Sequence, residues 1–114
     1  MTSKLQTLEP RVRRIKAELS LLGDLRPGAL SEQYNVCGKP GCQCKGPSPK
    51  KHGPYHQLSW SRKGRSTTRF VRQFELTMVE GQLTTYKRLQ QLIDEWVDAS
   101  IEICEIKRQV ARED

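Results

Sequence analysis

The sequence predicts a small α+β domain: a short N-terminal helix, a zinc-ordered loop, a two-stranded β-hairpin and a long C-terminal helix. Three observations carry this prediction. Apolar residues recur every three to four positions near both ends of the chain, which is typical of amphipathic helices. Residues 55–72 favour a hairpin, with two strand-like runs on either side of a turn. Residues 34–54 are rich in glycine and proline and hold three clustered cysteines. A chain of 114 residues fits one domain over residues 1–114.

The first helix is predicted over residues 9–23. Pro10 is favourable at the first helical position because the N–H that it lacks would have no partner there. Four aliphatic residues then recur on one stripe: Val12, Ile15, Leu19 and Leu22. Gly23 suits the position just after the helix, where a left-handed backbone is common.

The predicted hairpin spans residues 55–72 and has a three-residue loop that ends at Gly64, a length that suits a turn with a bulge. The register that follows from this loop pairs Ser61 with Arg65. It places three apolar residues on one face: Leu58, Trp60 and Phe70. Arg65 and Arg69 then fall on the opposite, polar face.

The long helix is predicted over residues 78–111, and the segment from Thr77 to Glu80 matches a capping box. A broad apolar stripe runs along it: Val79, Leu83, Tyr86, Leu89, Ile93, Trp96, Val97, Ile101 and Cys104. We expect Cys104 to be buried as a small apolar residue. Because the first helix is too short to cover this stripe, residues 78–111 are expected to form a homo-oligomer, as a coiled coil, or to bind a larger protein partner.

The net charge of +7 is unevenly distributed. Residues 33–72 hold nine basic side chains and no acidic one, whereas residues 73–114 hold five basic and nine acidic ones. Proteins that bind a polyanion carry such blocks, although a solvated basic surface is the alternative. The side chains expected to contact DNA or RNA are Lys50, Lys51, Arg62, Lys63, Arg65, Arg69 and Arg72. Tyr55 and Trp60 could stack on unpaired bases.

Three of the four cysteines lie within eight residues: Cys37, Cys42 and Cys44. Together with His52 they would form the four-ligand site that structural zinc prefers. His56 is the alternative fourth ligand, and metal-free thiols or an iron–sulfur centre are the alternatives to zinc. Zinc would order a segment that has almost no apolar side chains of its own.

The cysteine cluster and its surroundings also carry a resemblance. Residues 26–44 read RPGALSEQYNVCGKPGCQC, residues 52–55 read HGPY, and the predicted hairpin ends in RFVR at residues 69–72. This combination resembles a family of short bacterial proteins with no assigned function, some similar to proteins encoded near transposase and phage-type genes. The resemblance implies that the three clustered cysteines, His52 and Tyr55 are motif positions, and that the protein is associated with mobile elements. It implies no particular activity.

Several function classes are not expected. The sequence has no apolar run long enough for a membrane span and no secretory signal at its start, so we expect a cytoplasmic protein. It has no nucleotide-binding loop and no carboxylate pair in the basic block, so we do not expect an enzyme. The sequence instead predicts a small zinc-stabilised nucleic-acid-binding protein, an accessory factor of a larger DNA- or RNA-processing assembly. The alternative is a protein–protein adaptor that docks or dimerises through the long helix.

Overall fold

The structure, a computed structural model, describes residues 2–35, 41 and 52–113. Its elements are α1 (Thr2–Leu21), β1 (Ala29–Asn35), β2 (His52–Arg62), β3 (Arg65–Val71), a 3₁₀ turn (Gln73–Glu75) and α2 (Leu76–Glu113). The strands form an antiparallel sheet in the order β1-β2-β3, which confirms the predicted α+β class. The chain divides into two compact units: a helical unit (Met1–Leu25 and Thr84–Asp114) and a sheet unit (Arg26–Leu83).

Helix α1 begins at Thr2, seven residues before the predicted start, so Pro10 lies inside the helix. Proline in a helix interior removes one backbone hydrogen bond and crowds the preceding turn. The additional turns bury Leu8 against Ala99 and Ile106 of α2, and Leu5 packs on the same cluster. Burial of these side chains offsets the cost of the proline. The local sequence pattern alone did not indicate this burial, because it depends on contacts with α2.

An ion pair joins α1 to α2 within the helical unit. The Arg88 guanidinium donates two hydrogen bonds to the carboxylate of Glu18, one of them 2.8 Å between Nη2 and Oε1. The hydrogen bond from Arg88 lowers the pKa of Glu18, and desolvation opposes this effect only in part. Nearby, the Lys16 ammonium lies 5.2 Å from the centre of the Trp96 ring.

Strand β1 (Ala29–Asn35) was not predicted from the sequence. Its seven residues hold few apolar side chains, and Leu30 is the one that packs on the buried cluster of Leu58, Val71 and Val79. The strand forms because its backbone pairs with β2, with Leu30 opposite Leu58 and Gln33 opposite Tyr55. Pairing of this kind is a long-range property that a local pattern does not indicate.

The hairpin is confirmed, but its predicted loop is wrong by one residue. The loop contains only Lys63 and Gly64, and Arg62 pairs with Arg65. Both loop residues have positive φ (52° and 78°), the backbone of a type I′ turn, whose twist matches that of the strands. The one-residue shift turns Val71 inward, where it is buried with Leu58, and turns Phe70 outward.

The register gives the sheet two different faces. One, called here the Trp60 face, holds the buried cluster and consists in the hairpin of His56, Leu58, Trp60, Arg62, Arg65, Thr67, Arg69 and Val71. Arg65 and Arg69 therefore lie on the same face as Trp60, not on the opposite face as predicted. The other face, called here the open face, consists of Ala29, Ser31, Gln33, Tyr55, Gln57, Ser59, Ser61, Ser66, Thr68 and Phe70.

Helix α2 begins at Leu76, directly after the 3₁₀ turn, so the predicted capping box at Thr77 lies inside the helix. Two hydrogen bonds between Arg72 and Glu75 instead cap the 3₁₀ turn that precedes the helix. The Arg72 N–H donates to the Glu75 carboxylate (2.8 Å), and the Glu75 N–H donates to the Arg72 carbonyl (2.9 Å). No helix in the described ranges combines the length and apolar character needed to cross a membrane.

The predicted apolar stripe of α2 is only partly covered. Of its residues, Val79 is buried, whereas Ile93, Val97 and Ile101 are exposed. Leu92, Ala99 and Ile106 are buried although the predicted stripe did not include them. Cys104 is exposed too, so its predicted burial is wrong. The side chains that α1 covers lie on a different side of the helix from these exposed ones. Val97, Ile101 and Cys104 line a shallow apolar groove at Trp96–Glu105.

Candidate nucleic-acid interface

The net charge of the chain belongs to the sheet unit. Residues 26–83 hold ten Lys and Arg residues against three Asp and Glu residues, a formal charge of +7. The helical unit holds ten basic and ten acidic residues and is formally neutral. A polyanion is therefore attracted to the sheet unit rather than to the molecule as a whole.

Five of the seven predicted nucleic-acid-binding cations lie in the described part of the chain, and all five are exposed: Arg62, Lys63, Arg65, Arg69 and Arg72. Lys50 and Lys51 lie outside the described residues. Arg62 and Arg65 are paired across the hairpin with Lys63 in the turn between them. The tip of the hairpin thus presents three cations within four residues.

Trp60 lies among cations on its own face of the sheet. Its half-buried ring packs against the Leu58 cluster. The guanidinium carbon of Arg26 lies 4.5 Å from the ring centre, and that of Arg69 lies 5.8 Å from it. Guanidinium groups are attracted to the face of an indole at these distances. Stacking of Trp60 on a base stays a prediction, and any base would have to share the ring with these two groups.

Arg26 was not among the residues that the sequence predicted to contribute to a binding site. Gly28 has φ +130°, and a Cβ there would lie 2.7 Å from the carbonyl oxygen of Ser59. Glycine therefore lets this turn lie directly on β2. The Arg26 N–H donates to the carbonyl of Gln82 (3.2 Å), which holds the residue at the start of α2. The adjacent Pro27 and Gly28 indicate a turn at Arg26, but they do not indicate that its side chain reaches the Trp60 ring.

The open face presents two exposed aromatic rings. Tyr55 is 41% exposed and Phe70 is 69% exposed. They are diagonal neighbours, since Phe70 pairs with Gln57, two residues from Tyr55. Both rings and Arg72 line one groove of about 330 Å³. Phe70 is the candidate that the predicted register hid, because that register placed it with Leu58.

The rest of the open face is small and uncharged. Ser59 and Thr68 share a hydrogen bond across the strands (3.2 Å), as do Ser61 and Ser66 (2.9 Å). Each hydroxyl can both donate and accept, so these pairs keep capacity for a further partner. None of the ten open-face residues carries a charge, although the sheet unit around them is strongly basic.

Comparison with known proteins places the chain in a family. The family model described as a domain of unknown function (DUF6788) matches residues 5–80. The chain belongs to this family. The match includes most of α1, the whole sheet and the first turn of α2. Neither a curated protein nor a solved structure matched the chain. The description of DUF6788 assigns no activity, so the function must be argued from the residues of this chain.

The DUF6788 match includes the predicted zinc ligands, of which Cys37, Cys42 and Cys44 lie outside the described residues. In the described backbone, His52 pairs with Asn35, and His56 pairs with Glu32, further along the strands. Because antiparallel partners lie about 5 Å apart, Asn35 and His52 are neighbours across the sheet. Within residues 2–35, 41 and 52–113, no three side chains of His, Cys, Asp or Glu form a metal-binding group.

Proposed function

We propose that this protein is a small zinc-stabilised nucleic-acid-binding protein that binds DNA or RNA through its sheet unit. The observation that carries the proposal is the concentration of the entire formal charge of +7 in that unit, beside a neutral helical unit. The cations of the hairpin are exposed and supply half of the basic side chains of this unit. Contacts of Arg and Lys with phosphates supply affinity without reading sequence, so we expect binding that is general and sensitive to salt.

Two charge-reversal variants test this proposal against simple loss of net charge. Arg62→Glu with Arg65→Glu reverses the paired cations at the hairpin tip. Arg13→Glu with Arg14→Glu makes the same change in charge on exposed residues of α1. Fluorescence anisotropy with labelled oligonucleotides at low salt should show at least a tenfold loss of affinity for the hairpin variant and a much smaller loss for the α1 variant. Equal affinity of the hairpin variant and the wild type would contradict the proposed site.

Zinc is the proposed source of order for the cysteine segment. The pairing of Asn35 with His52 supports a ligand set of Cys37, Cys42, Cys44 and His52. His52 lies opposite Asn35, and Cys37 follows Asn35 by only two residues in the sequence. His56, opposite Glu32, is further from the ends of the segment. Three thiolates and one imidazole are a closed set for structural zinc, which would contribute folding energy rather than catalysis.

We further propose that the protein is a cytoplasmic accessory factor of a larger DNA- or RNA-processing assembly. The similarity of its cysteine and HGPY motifs to proteins encoded near transposase and phage-type genes supports this role. In this role the sheet unit binds the nucleic acid and the partner enzyme carries out the chemistry, so this chain needs no catalytic residue.

An adaptor role through α2 is the second candidate function, as a homo-oligomer or with another protein. The specific observation in its favour is the exposure of Ile93, Val97 and Ile101, the last by 57%. These residues and Cys104 form a continuous apolar strip at spacings of four, four and three residues, which is typical of a helix contact surface. The two roles belong to different units, so one chain can perform both.

A further inference from the structure

The two aromatic rings of the open face are not explained by packing within the sheet unit. Leu58 on the Trp60 face is 1% exposed, so the buried cluster lies on that face. Tyr55 and Phe70 lie on the other face, where the remaining residues are small or polar. Large rings on an open sheet face lose favourable burial, and a ligand that covers them would recover it.

We infer that the open face binds unpaired bases of single-stranded nucleic acid, with Tyr55 and Phe70 as stacking surfaces and Arg72 as the adjacent phosphate contact. This inference rests on the proposed nucleic-acid-binding function and names its substrate class. Base stacking on aromatic side chains needs a base whose flat face is free. In a duplex the base faces are already stacked on each other, and only their edges and the phosphates are accessible.

Charge favours a nucleic acid as the occupant. Arg72 lines the same groove as both rings, so a strand whose bases cover the rings would bring phosphates close to a guanidinium group. At the other end of the open face, Lys63 lies in the hairpin turn, whereas Arg65 and Arg69 stand on the Trp60 face of the edge strand β3. The uncharged centre with cations at its border matches the uncharged bases and charged backbone of a single strand.

The small hydroxyl side chains of the open face extend this match. Ser59, Ser61, Ser66 and Thr68 stand on the two strands that also carry the rings. Their short side chains allow a planar base to approach the sheet closely. Their hydroxyl groups can donate to or accept from any base edge, which predicts little preference among sequences.

The test compares single-stranded and duplex oligonucleotides of equal length, DNA and RNA, by fluorescence anisotropy at low salt. The test variant is Tyr55→Ser with Phe70→Ser. The conservative variant Tyr55→Phe with Phe70→Tyr keeps both rings. The control Phe74→Ser removes a ring that is 80% exposed in the same unit but does not line the groove. Circular dichroism and melting curves report whether each variant is folded.

The wild type should bind the single strand more tightly than the duplex. Loss of both rings should weaken single-strand binding by on the order of tenfold per ring and leave duplex binding unchanged. The conservative variant and Phe74→Ser should bind like the wild type. Equal single-strand affinity of the double-serine variant and the wild type, or a preference of the wild type for duplex, would overturn the inference.

The same data separate this inference from the proposed function. If wild-type binding depends on Arg62 and Arg65 but not on the rings, the sheet unit binds nucleic acid and only the stacking inference fails. If the wild type binds neither strand form at low salt, both fail. A second experiment, ultraviolet cross-linking of the wild type to a thymine-rich single strand, does not depend on whether a variant folds. It should give adducts on the peptide of Tyr55 or Phe70, and adducts confined to other peptides would contradict the inference.

Discussion

Trp60 and Arg26 show how single residues hold the basic surface together. The ring of Trp60 packs on Leu58 on one side and lies close to the guanidinium groups of Arg26 and Arg69. Each cation gains attraction to the ring, which reduces the cost of holding like charges near each other. Trp60 is therefore a structural part of the basic surface as well as a predicted base-stacking residue.

Gly28 gives the first residue-scale prediction. Gly28→Ala should lower the free energy of unfolding by about 1–3 kcal/mol, because the new Cβ would meet the Ser59 carbonyl at a backbone angle that alanine rarely adopts. Chemical denaturation measures the change. Gly81→Ala is the matched control, since a Cβ at that helical position meets no atom within 4 Å. The control should gain up to about 1 kcal/mol, and an equal effect of the two substitutions would refute the close approach at Gly28.

The zinc ligands give the second residue-scale prediction. Purified protein should contain one zinc ion per chain, and Cys42→Ser should lose it, because a tetrahedral site does not keep its affinity with three ligands. His52→Ala should also lose the metal, whereas His56→Ala should keep it. Elemental analysis of dialysed protein measures this. Unchanged zinc content in Cys42→Ser would exclude the cysteine site. Loss of zinc in His56→Ala but not in His52→Ala would make His56, not His52, the fourth ligand.

At the scale of elements, the sequence predicted what depends on local pattern. The helix period of α2 and the two strands around Gly64 were recognised from spacing alone. The third strand, β1, was not, because its pairing with β2 supplies what its own composition lacks. The register failed for a related reason. Both two-residue and three-residue loops suit a glycine at position 64, and the choice depends on whether Val71 or Phe70 packs with Leu58 and Val79.

The pair of Glu18 and Arg88 gives the element-scale prediction. Hydrogen bonding to Arg88 lowers the pKa of Glu18 from its ordinary 4.5, so the folded state binds this proton less readily than the unfolded state does. The pair therefore stabilises the helical unit above the ordinary pKa and loses this effect as the pH falls through the lowered pKa. Because both side chains are about 40% exposed and solvent screens the pair, Glu18→Gln should lower the melting temperature by at most a few degrees at neutral pH and by less in acid.

Glu105→Gln is the control for this measurement. Glu105 pairs with Arg108 at 3.5 Å within α2, and both side chains are about 60% exposed. Such a pair contributes little to stability, so its removal should leave the melting temperature almost unchanged at every pH. A difference between Glu18→Gln and the wild type that grows as the pH falls would contradict the lowered pKa of Glu18.

At the scale of the whole molecule, charge is divided between the two units. The basic block was visible in the sequence, and its five described cations are exposed. In the helical unit, the positive charge of residues 1–25 is balanced by the negative charge of residues 84–114. This balance is not visible along the sequence, because α2 begins in the sheet unit and ends in the helical unit. Phe70 and Arg26 could not be assigned in advance, since their surroundings depend on the register of β3 and on the turn at Gly28.

The dependence of binding on salt is the measurement that tests the account most directly. Wild-type protein is titrated into labelled single-stranded and duplex oligonucleotides at about 50 and about 200 mM salt. With up to five phosphate contacts from the hairpin cations, the logarithm of the association constant should fall with the logarithm of salt with a slope that reaches about −3.5 on a single strand. Tight binding at low salt with that loss at high salt is the predicted result. No binding at low salt, or binding that salt does not weaken, would contradict the assignment of the sheet unit to nucleic acid.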